Sequence, residues 1–386
     1  MLRSLFSGIS GLRAHQQMMD VTGNNIANVN TTGYKSSQTV FQDTLSQMVN
    51  AAGAPQNGAG GTNPAQVGLG VRTASINANF SQGAAQTTGK SGDMMIQGDG
   101  FFIVKSGGES VYTRAGSFTF DANGSLTTPN GQIVQGWGAD TDGNVNTAGA
   151  PANIKLPIGI SLAPDPTTSF TLTGNLSYEA ATGATKVIPI TVIDENGTSR
   201  QLNVTMTKTG ADAWSAKGDG AAVPIAFDDG RPTVDTIDID GYDVDISDLT
   251  HFSGLTEARV SASDGSGAGI LSSYTVSNTG QIVGVFSNGL KQTLGQLALA
   301  NFNNVNGLEK IGDSMFRSTV NSGLAQVGSA GTAGLGLITS GALEMSNVDL
   351  AQEFTNLVIA QRGFQANSRI ITTSDEILQE LVNLKR

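Results

Sequence analysis

The C-terminal segment, residues 346–386, carries the most regular alternation of apolar and polar positions in the chain. Its apolar side chains recur at steps of three and four residues, the spacing of one face of an α-helix. No proline interrupts the segment, and Gly363 is its one weak point for helix formation. Ser346 and Asn347 are residue types that cap helix N-termini, so the helix is expected to begin near them. The apolar positions expected to pack are Leu350, Phe354, Leu357, Phe364, Ile370, Ile371, Ile377, Leu378, Leu381 and Leu384.

The N-terminal segment shows the same helical spacing. Leu5, Ile9, Leu12 and Met19 lie on one face, and Gly33 is expected to end the helical region. Helices with one broad apolar face need a partner, because isolated helices are marginal in water. Since the two segments come from opposite ends of the chain, we predict an antiparallel pair that also packs against copies of itself. The simpler alternative is that both helices cover an ordinary globular core.

Most of the chain between these helices alternates with the period of two that is typical of β-strands. Residues 234–246 are the clearest example, since apolar residues alternate with acids on both sides of Asp240–Gly241, a dipeptide that favours hairpin turns. Asn123–Gly124, Asn130–Gly131 and Asn196–Gly197 are further turn signals. The central part of the chain is therefore predicted to be β-structure.

The order of these patterns predicts a multidomain α+β protein. Its terminal α-helices would form a coiled-coil-like pair, and two nested, mainly antiparallel β-domains would lie between them. The predicted domains are a terminal helix domain (1–33 and 346–386), a connector (34–70), a first β-domain (71–145 and 285–345) and an inserted outer β-domain (146–284). Within the connector, residues 34–50 fit either a helix or an extended segment.

Glycines are concentrated where the predicted layers meet. The candidate hinge positions are Gly60, Gly61, Gly68 and Gly70. Glycine tolerates backbone angles closed to other residues, so these positions suit small adjustments between layers. The alternative is that they only serve tight turns.

Composition argues against several classes of function. The chain has 386 residues, 50 of them glycine, with only 14% charged residues and a net charge of -11. That balance argues against a nucleic-acid partner, and the absence of cysteine removes disulfides and thiolate metal sites. No apolar run approaches membrane-spanning length. Residues 1–13 read as mature protein rather than a cleaved leader, because serine and glycine break their apolar run.

The sequence predicts no catalytic, cofactor or metal site. The best metal candidate is Asp238-x-Asp240-Gly241, which resembles part of a calcium loop. Thr236 and Ser247 stand where a full loop would need acids, so solvated acids beside a turn are the simpler interpretation.

Several longer motifs resemble the family of bacterial flagellar rod and hook proteins. The motifs are residues 20–35 (DVTGNNIANVNTTGYK), 98–102 (GDGFF), 112–118 (YTRAGSF), 287–289 (SNG), 341–350 (GALEMSNVDL) and 361–367 (QRGFQAN). Phe364 stands where tyrosine would be more usual. The resemblance covers both termini and the first β-domain, but not the middle domain.

The resemblance implies that the terminal helices line the channel of a tubular polymer and that the β-domains lie at larger radius. It implies export by the flagellar type III apparatus and, given the inserted middle domain, the role of a hook subunit that transmits torque as a flexible coupling. The implied partners are copies of the chain, the distal rod protein, the hook cap and the hook–filament junction proteins. Alternatives are a distal rod subunit, a secreted β-rich binding module and an enzyme.

Overall fold

The computed structural model describes residues 2–55, 60–156, 159 and 161–384. The chain forms two compact units, the first made of residues 1–156, 275–282 and 293–386 and the second of residues 157–274 and 283–292. The predicted division into a helix domain, a connector and two β-domains is finer than these two units and stays a prediction.

Helices occur at the two ends of the described chain, and strands fill most of the rest. The helices are α1 (Leu2–Ala27), α2 (Leu350–Asn383) and a short 3-10 helix (Val305–Gly307). The strands up to residue 156 are β1 (Ser37–Asp43), β2 (Ser46–Asn50), β3 (Ala65–Gly68), β4 (Val71–Ala78), β5 (Ala85–Thr87), β6 (Met94–Gln97), β7 (Phe101–Ser106), β8 (Glu109–Thr113), β9 (Thr119–Phe120), β10 (Leu126–Thr127), β11 (Ile133–Gly138) and β12 (Ala152–Asn153). The next are β13 (Ser161–Leu162), β14 (Ser169–Asn175), β15 (Thr185–Ile193), β16 (Ser199–Gly210), β17 (Ala213–Lys217), β18 (Val223–Asp228), β19 (Arg231–Pro232), β20 (Thr236–Ile239), β21 (Tyr242–Asp245), β22 (Leu249–Thr250), β23 (Arg259–Ser263) and β24 (Gly269–Val276). The last are β25 (Gln281–Phe286), β26 (Lys291–Asn301), β27 (Glu309–Gly312), β28 (Met315–Arg317), β29 (Gln326–Ser329), β30 (Leu337–Ser340) and β31 (Ala342–Glu344).

The first unit contains an antiparallel sheet in the order β26-β11-β7-β8-β28-β27. Some of its strands precede the second unit in the sequence and the others follow it. The sheet can therefore be completed only after the second unit has been synthesised. One side of the sheet packs an aromatic core, in which Phe101 meets Phe316 and Phe80 edge to face and Phe80 meets Phe316 in a tilted contact.

The second unit packs two sheets around one apolar core. The first sheet is an antiparallel meander of β15 to β19, and the second has the order β20-β21-β14-β22 with β23 paired to β14. Core side chains come from both sheets, among them Phe170 of β14 and Trp214 of β17. The predicted hairpin is confirmed, because Asp240 and Gly241 turn the chain between β20 and β21 with φ angles of +56° and +84°. The parallel pairing of β14 with β21 and β22 was not predicted.

Residues 37–50 and 65–78 form a two-stranded ribbon. β1 pairs with β4, and beyond them β2 pairs with β3, both antiparallel. Residues 37–50 are therefore extended, and three strands lie inside the segment predicted as a connector. Pairing across the ribbon gives these backbone N–H and C=O groups hydrogen-bond partners within the protein. In a flexible glycine-rich linker the same groups would bond to water instead.

The expected start of the C-terminal helix was wrong. Asp349 caps α2, and its carboxylate accepts hydrogen bonds from the backbone N–H groups of Ala351 at 2.8 Å and Gln352 at 3.2 Å. Asn347 cannot cap the helix because its side chain is already engaged. Its Oδ1 accepts from Ser36 N at 2.8 Å, and its Nδ2 donates to Asn79 O at 2.8 Å.

Among the described helices, neither α1 nor α2 has the combination of length and hydropathy that spans a bilayer. Within the same residues, no group of three or more His, Asp or Glu side chains is arranged to hold a metal ion.

Candidate assembly surface and buried ion cluster

The two terminal helices run antiparallel, as predicted. Near one end, a Cβ atom placed on Gly11 would lie 2.7 Å from the side-chain amide of Asn367. Near the other end, Asn25 Nδ2 donates a hydrogen bond to Glu353 Oε1 at 3.0 Å. Residues 11 and 25 of α1 therefore lie opposite residues 367 and 353 of α2, and glycine at position 11 permits a close approach.

The predicted apolar positions divide into two sets. Those between the helices, which we call the inner seam, are half-buried and recur every seven residues, which is about two helical turns. The inner seam comprises Leu5, Leu12 and Met19 of α1 and Leu357, Phe364, Ile371 and Leu378 of α2. It supplies the coiled-coil-like contact within one chain.

The remaining predicted positions are exposed to solvent on more than one side of the helices, and we call them together the outer face. It comprises Ile9, Leu350, Phe354, Ile370, Ile377 and Leu384. Ile370 is 43% exposed and Ile377 51% exposed. Leu381 lies within α2, but its side chain is outside the described residues. The chain thus leaves apolar side chains uncovered along the same helix pair.

Three outer-face residues were missed by the sequence analysis, namely Phe6, Val358 and Ile359. Ile359 precedes Ile370 by about three helical turns, so it returns to the same side of α2. That spacing could have revealed it, but the apolar positions predicted to pack did not include it.

The candidate hinge glycines occupy different environments. A Cβ atom on Gly60 or Gly68 would meet no neighbouring atom within 4 Å, and one on Gly61 would lie 3.0 Å from Gly53 O. Gly70 has a φ angle of +122°, and its Cβ would lie 2.2 Å from Ser10 Oγ. Close packing of the ribbon on α1 therefore requires glycine at position 70, and the hinge role of all four glycines stays a prediction.

A buried ion cluster lies in the first unit, where the segment after α1 meets the β-structure. Lys35 Nζ lies 2.6 Å from Glu344 Oε1, and Arg114 Nη1 lies 3.4 Å from Glu344 Oε2. The side chains of Lys35 and Glu344 are fully buried, and that of Arg114 is 3% exposed. One carboxylate therefore balances two cations away from water.

Backbone groups complete the cluster. Lys35 Nζ donates to Ser81 O at 2.8 Å, and Gly83 N donates to Glu344 Oε1 at 2.9 Å. Arg114 Nη2 donates to Gly98 O at 2.8 Å, and its guanidinium lies over the Phe101 ring. Hydrogen bonds to ionised groups are stronger than neutral ones, so the cluster ties five chain segments together.

Burial dominates the titration of both cations. Loss of hydration lowers the pKa of Lys35, while the hydrogen bond and charge of Glu344 act in the opposite direction. Burial likewise lowers the pKa of Arg114 against the charge of Glu344. Glu344 thus supplies the negative charge that stabilises two desolvated cations in the folded chain.

Asn25 links the helix pair to the start of the ribbon. Its Nδ2 also donates to Ser37 O at 2.8 Å, and its Oδ1 accepts from Ser37 N at 2.9 Å and from Tyr34 Oη at 3.1 Å. Burial raises the pKa of Glu353, partly offset by hydrogen bonds from Asn25 and Thr22. This assigns a structural role to one of the four asparagines between residues 24 and 30.

Three family models match separate segments of the chain. They are described as "Flagella basal body rod protein" (residues 5–35), "Flagellar hook protein FlgE/F/G D1 domain" (residues 95–175) and "Flagellar basal body rod FlgEFG protein C-terminal" (residues 339–384). Each segment contributes one member of the ion cluster: Lys35, Arg114 and Glu344 respectively.

Curated relatives match along the whole length. The chain is 38% identical to the flagellar hook protein FlgE of Borreliella burgdorferi and 36% identical to that of Treponema pallidum, with 100% of both chains covered in each case. It is 33% identical to the flagellar basal-body rod protein FlgG of Bacillus subtilis, again over 100% of both chains.

A solved structure, the flagellar hook protein FlgE2 of Helicobacter pylori, matches with a TM-score of 0.50 at 15% identity, covering 67% of this chain and 100% of that one. This likeness concerns the fold alone. The hook relatives exceed 30% identity along the entire chain, and the chain therefore belongs to the flagellar hook protein family.

Proposed function

We propose that the chain is the structural subunit of the flagellar hook and that it polymerises through the outer face of its terminal helix pair. The product is a curved, flexible tube that acts as a universal joint between rod and filament. The observation that carries this proposal is the outer face itself. It is a set of exposed apolar side chains along the helix pair of a protein with a net charge of -11, and exposed apolar patches mark interaction surfaces.

Burial of the outer face supplies the energy for assembly. Each large apolar side chain that leaves water contributes about 1.5–3 kcal/mol. Ordering backbone and side chains costs about 1–2 kcal/mol per residue, which the half-buried inner seam offsets only partly. Helix ordering and polymerisation are therefore coupled. The two terminal helices become fully ordered when neighbouring subunits cover them.

The same reasoning extends to location and partners. We propose export through the flagellar type III apparatus without cleavage of a signal peptide, and assembly outside the cell. The neighbours in the flagellum would be the distal rod protein, the hook cap and the hook–filament junction proteins. No nucleic acid, membrane insertion or catalytic activity is part of this function.

Electron microscopy of the purified protein, concentrated until it polymerises, tests the proposal. We expect curved tubes. Straight rods would instead favour the distal rod subunit, which the full-length match to a rod protein keeps as the second candidate. Absence of polymer under all conditions would rule out both.

A further inference from the structure

The outer end of the two-stranded ribbon is exposed on all sides. We call residues 45–50 and 65–69 the ribbon tip; it contains β2 and β3, and every residue of these two strands is exposed. Its apolar side chains are Leu45, Met48, Val49, Val67 and Leu69. Leu45 is 84% exposed. A two-stranded ribbon alone is at best marginally stable in water, so these strands need a further contact.

The ribbon tip also lacks charge. The chain contains 21 basic and 32 acidic residues, yet none occurs from Thr44 to Gly70. A surface that stays in water is normally rich in charged residues, whereas the centre of a protein interface is depleted of them. Composition and exposure together indicate a surface that is covered in the assembled protein.

A second surface of the same character lies on the loop between β28 and β29, residues 318–325. Val320 is 105% exposed and Leu324 is 92% exposed, the two highest values among the exposed large apolar side chains of the described chain. No charged residue occurs from Ser318 to Leu343. Burying this loop against another uncharged surface would therefore leave no buried charge without a partner.

The loop is held rigidly in the shape that presents these two side chains. Ser322 is buried, its Oγ accepts from Thr319 N at 2.9 Å, and it donates to Thr319 O at 2.9 Å. Asn304 Nδ2 donates to Asn321 O at 3.0 Å. A surface fixed before binding loses little conformational entropy on binding, which favours its use as a docking site.

We propose that the ribbon tip of one subunit packs on the 318–325 loop of a second copy of the chain. This inference rests on the proposed polymerisation and names a contact separate from the helix pair. The two surfaces are different patches of one chain, so the contact is head-to-tail. Contacts of that kind propagate into open helical assemblies rather than closing a dimer.

The absence of cysteine makes a direct test possible, because introduced thiols are the only ones present. Subunits with Met48→Cys and subunits with Leu324→Cys are mixed, assembled into tubes and treated with a short bifunctional thiol reagent. We expect a cross-linked dimer in the mixture and none when either variant is assembled alone. The control mixture pairs Met48→Cys with Asn123→Cys, an exposed turn position in the same unit.

Several-fold more dimer in the test mixture than in the control supports the contact. Equal yields in normally formed tubes overturn it and leave the hook function standing. If the wild-type chain forms no tubes at all, the proposed function fails and this contact fails with it. Should either substitution impair assembly, Val67→Cys with Val320→Cys repeats the test on the same two surfaces.

Discussion

Replacing Glu344 by alanine is expected to lower the free energy of unfolding of the first unit by about 3–5 kcal/mol. The substitution leaves Lys35 and Arg114 buried without their ion-pair partner. A buried charge without a partner costs several kcal/mol, and neither cation can reach water without opening the packing between helix pair and sheet. Such a loss is a large part of the total stability of a typical domain.

Glu109→Ala is the matched control. Glu109 also pairs with an arginine, Arg317, at 3.6 Å, but the two side chains are 70% and 49% exposed. Exposed pairs contribute at most about 1 kcal/mol. Each unit contains one tryptophan, so urea unfolding of both variants in a Trp214→Phe background reports on Trp137 and the first unit alone. Equal losses for the two variants would show that Glu344 does not balance the buried cations.

The double substitution Ile370→Asp with Ile377→Asp is expected to prevent polymerisation without unfolding the subunit. Both side chains belong to the outer face and are about half exposed, although Ile370 Cγ2 also lies near Gly8 of α1. Losing the burial of two large apolar side chains amounts to about 3–6 kcal/mol. A loss of free energy in that range raises the critical concentration for assembly roughly 10²- to 10⁴-fold.

Sedimentation separates assembled from unassembled protein and so measures the critical concentration directly. Thr372→Asp with Gln379→Asp is the control, since it adds the same two charges to α2 with the same spacing at positions that are already polar and exposed. Far-ultraviolet circular dichroism checks that both variants keep their fold. If the control raises the critical concentration as much as the test pair, charge on α2 is responsible and the apolar outer face is not.

Local patterns predicted the elements of this fold well where one physical rule dominated. Residue spacing located both terminal helices, and their order in the chain predicted the antiparallel pairing. Turn chemistry placed the hairpin at Asp240–Gly241, because positive φ angles are available to few residue types. Residues 37–50 were ambiguous, since short weakly periodic segments take their structure from what they pair with, here β3 and β4.

The ion cluster could not be predicted from local pattern, although each member lies in a motif that resembled the family. Lys35, Arg114 and Glu344 are far apart in the sequence and obey no common period. Only the tertiary fold brings them within ion-pair distance. The motifs were interpreted as markers of the terminal helices and the first β-domain, whereas their charged residues hold these parts together.

The division of the helix positions into inner seam and outer face also needed the structure. Periodicity assigns residues to a helix face, but it does not say which side of a broad apolar face meets the partner helix. Phe354 shows this, because the sequence placed it with Leu357 and Phe364 on one stripe and the structure leaves it 53% exposed.

Amide hydrogen exchange along the whole chain, compared between free subunits and assembled tubes, tests most directly whether the tails become ordered by joining neighbours. Amides of α1 and α2 are expected to exchange quickly in the free subunit and slowly in the tube, while those of β7 stay protected in both states. Full protection of α1 and α2 in the free subunit would contradict the coupling of helix order to assembly.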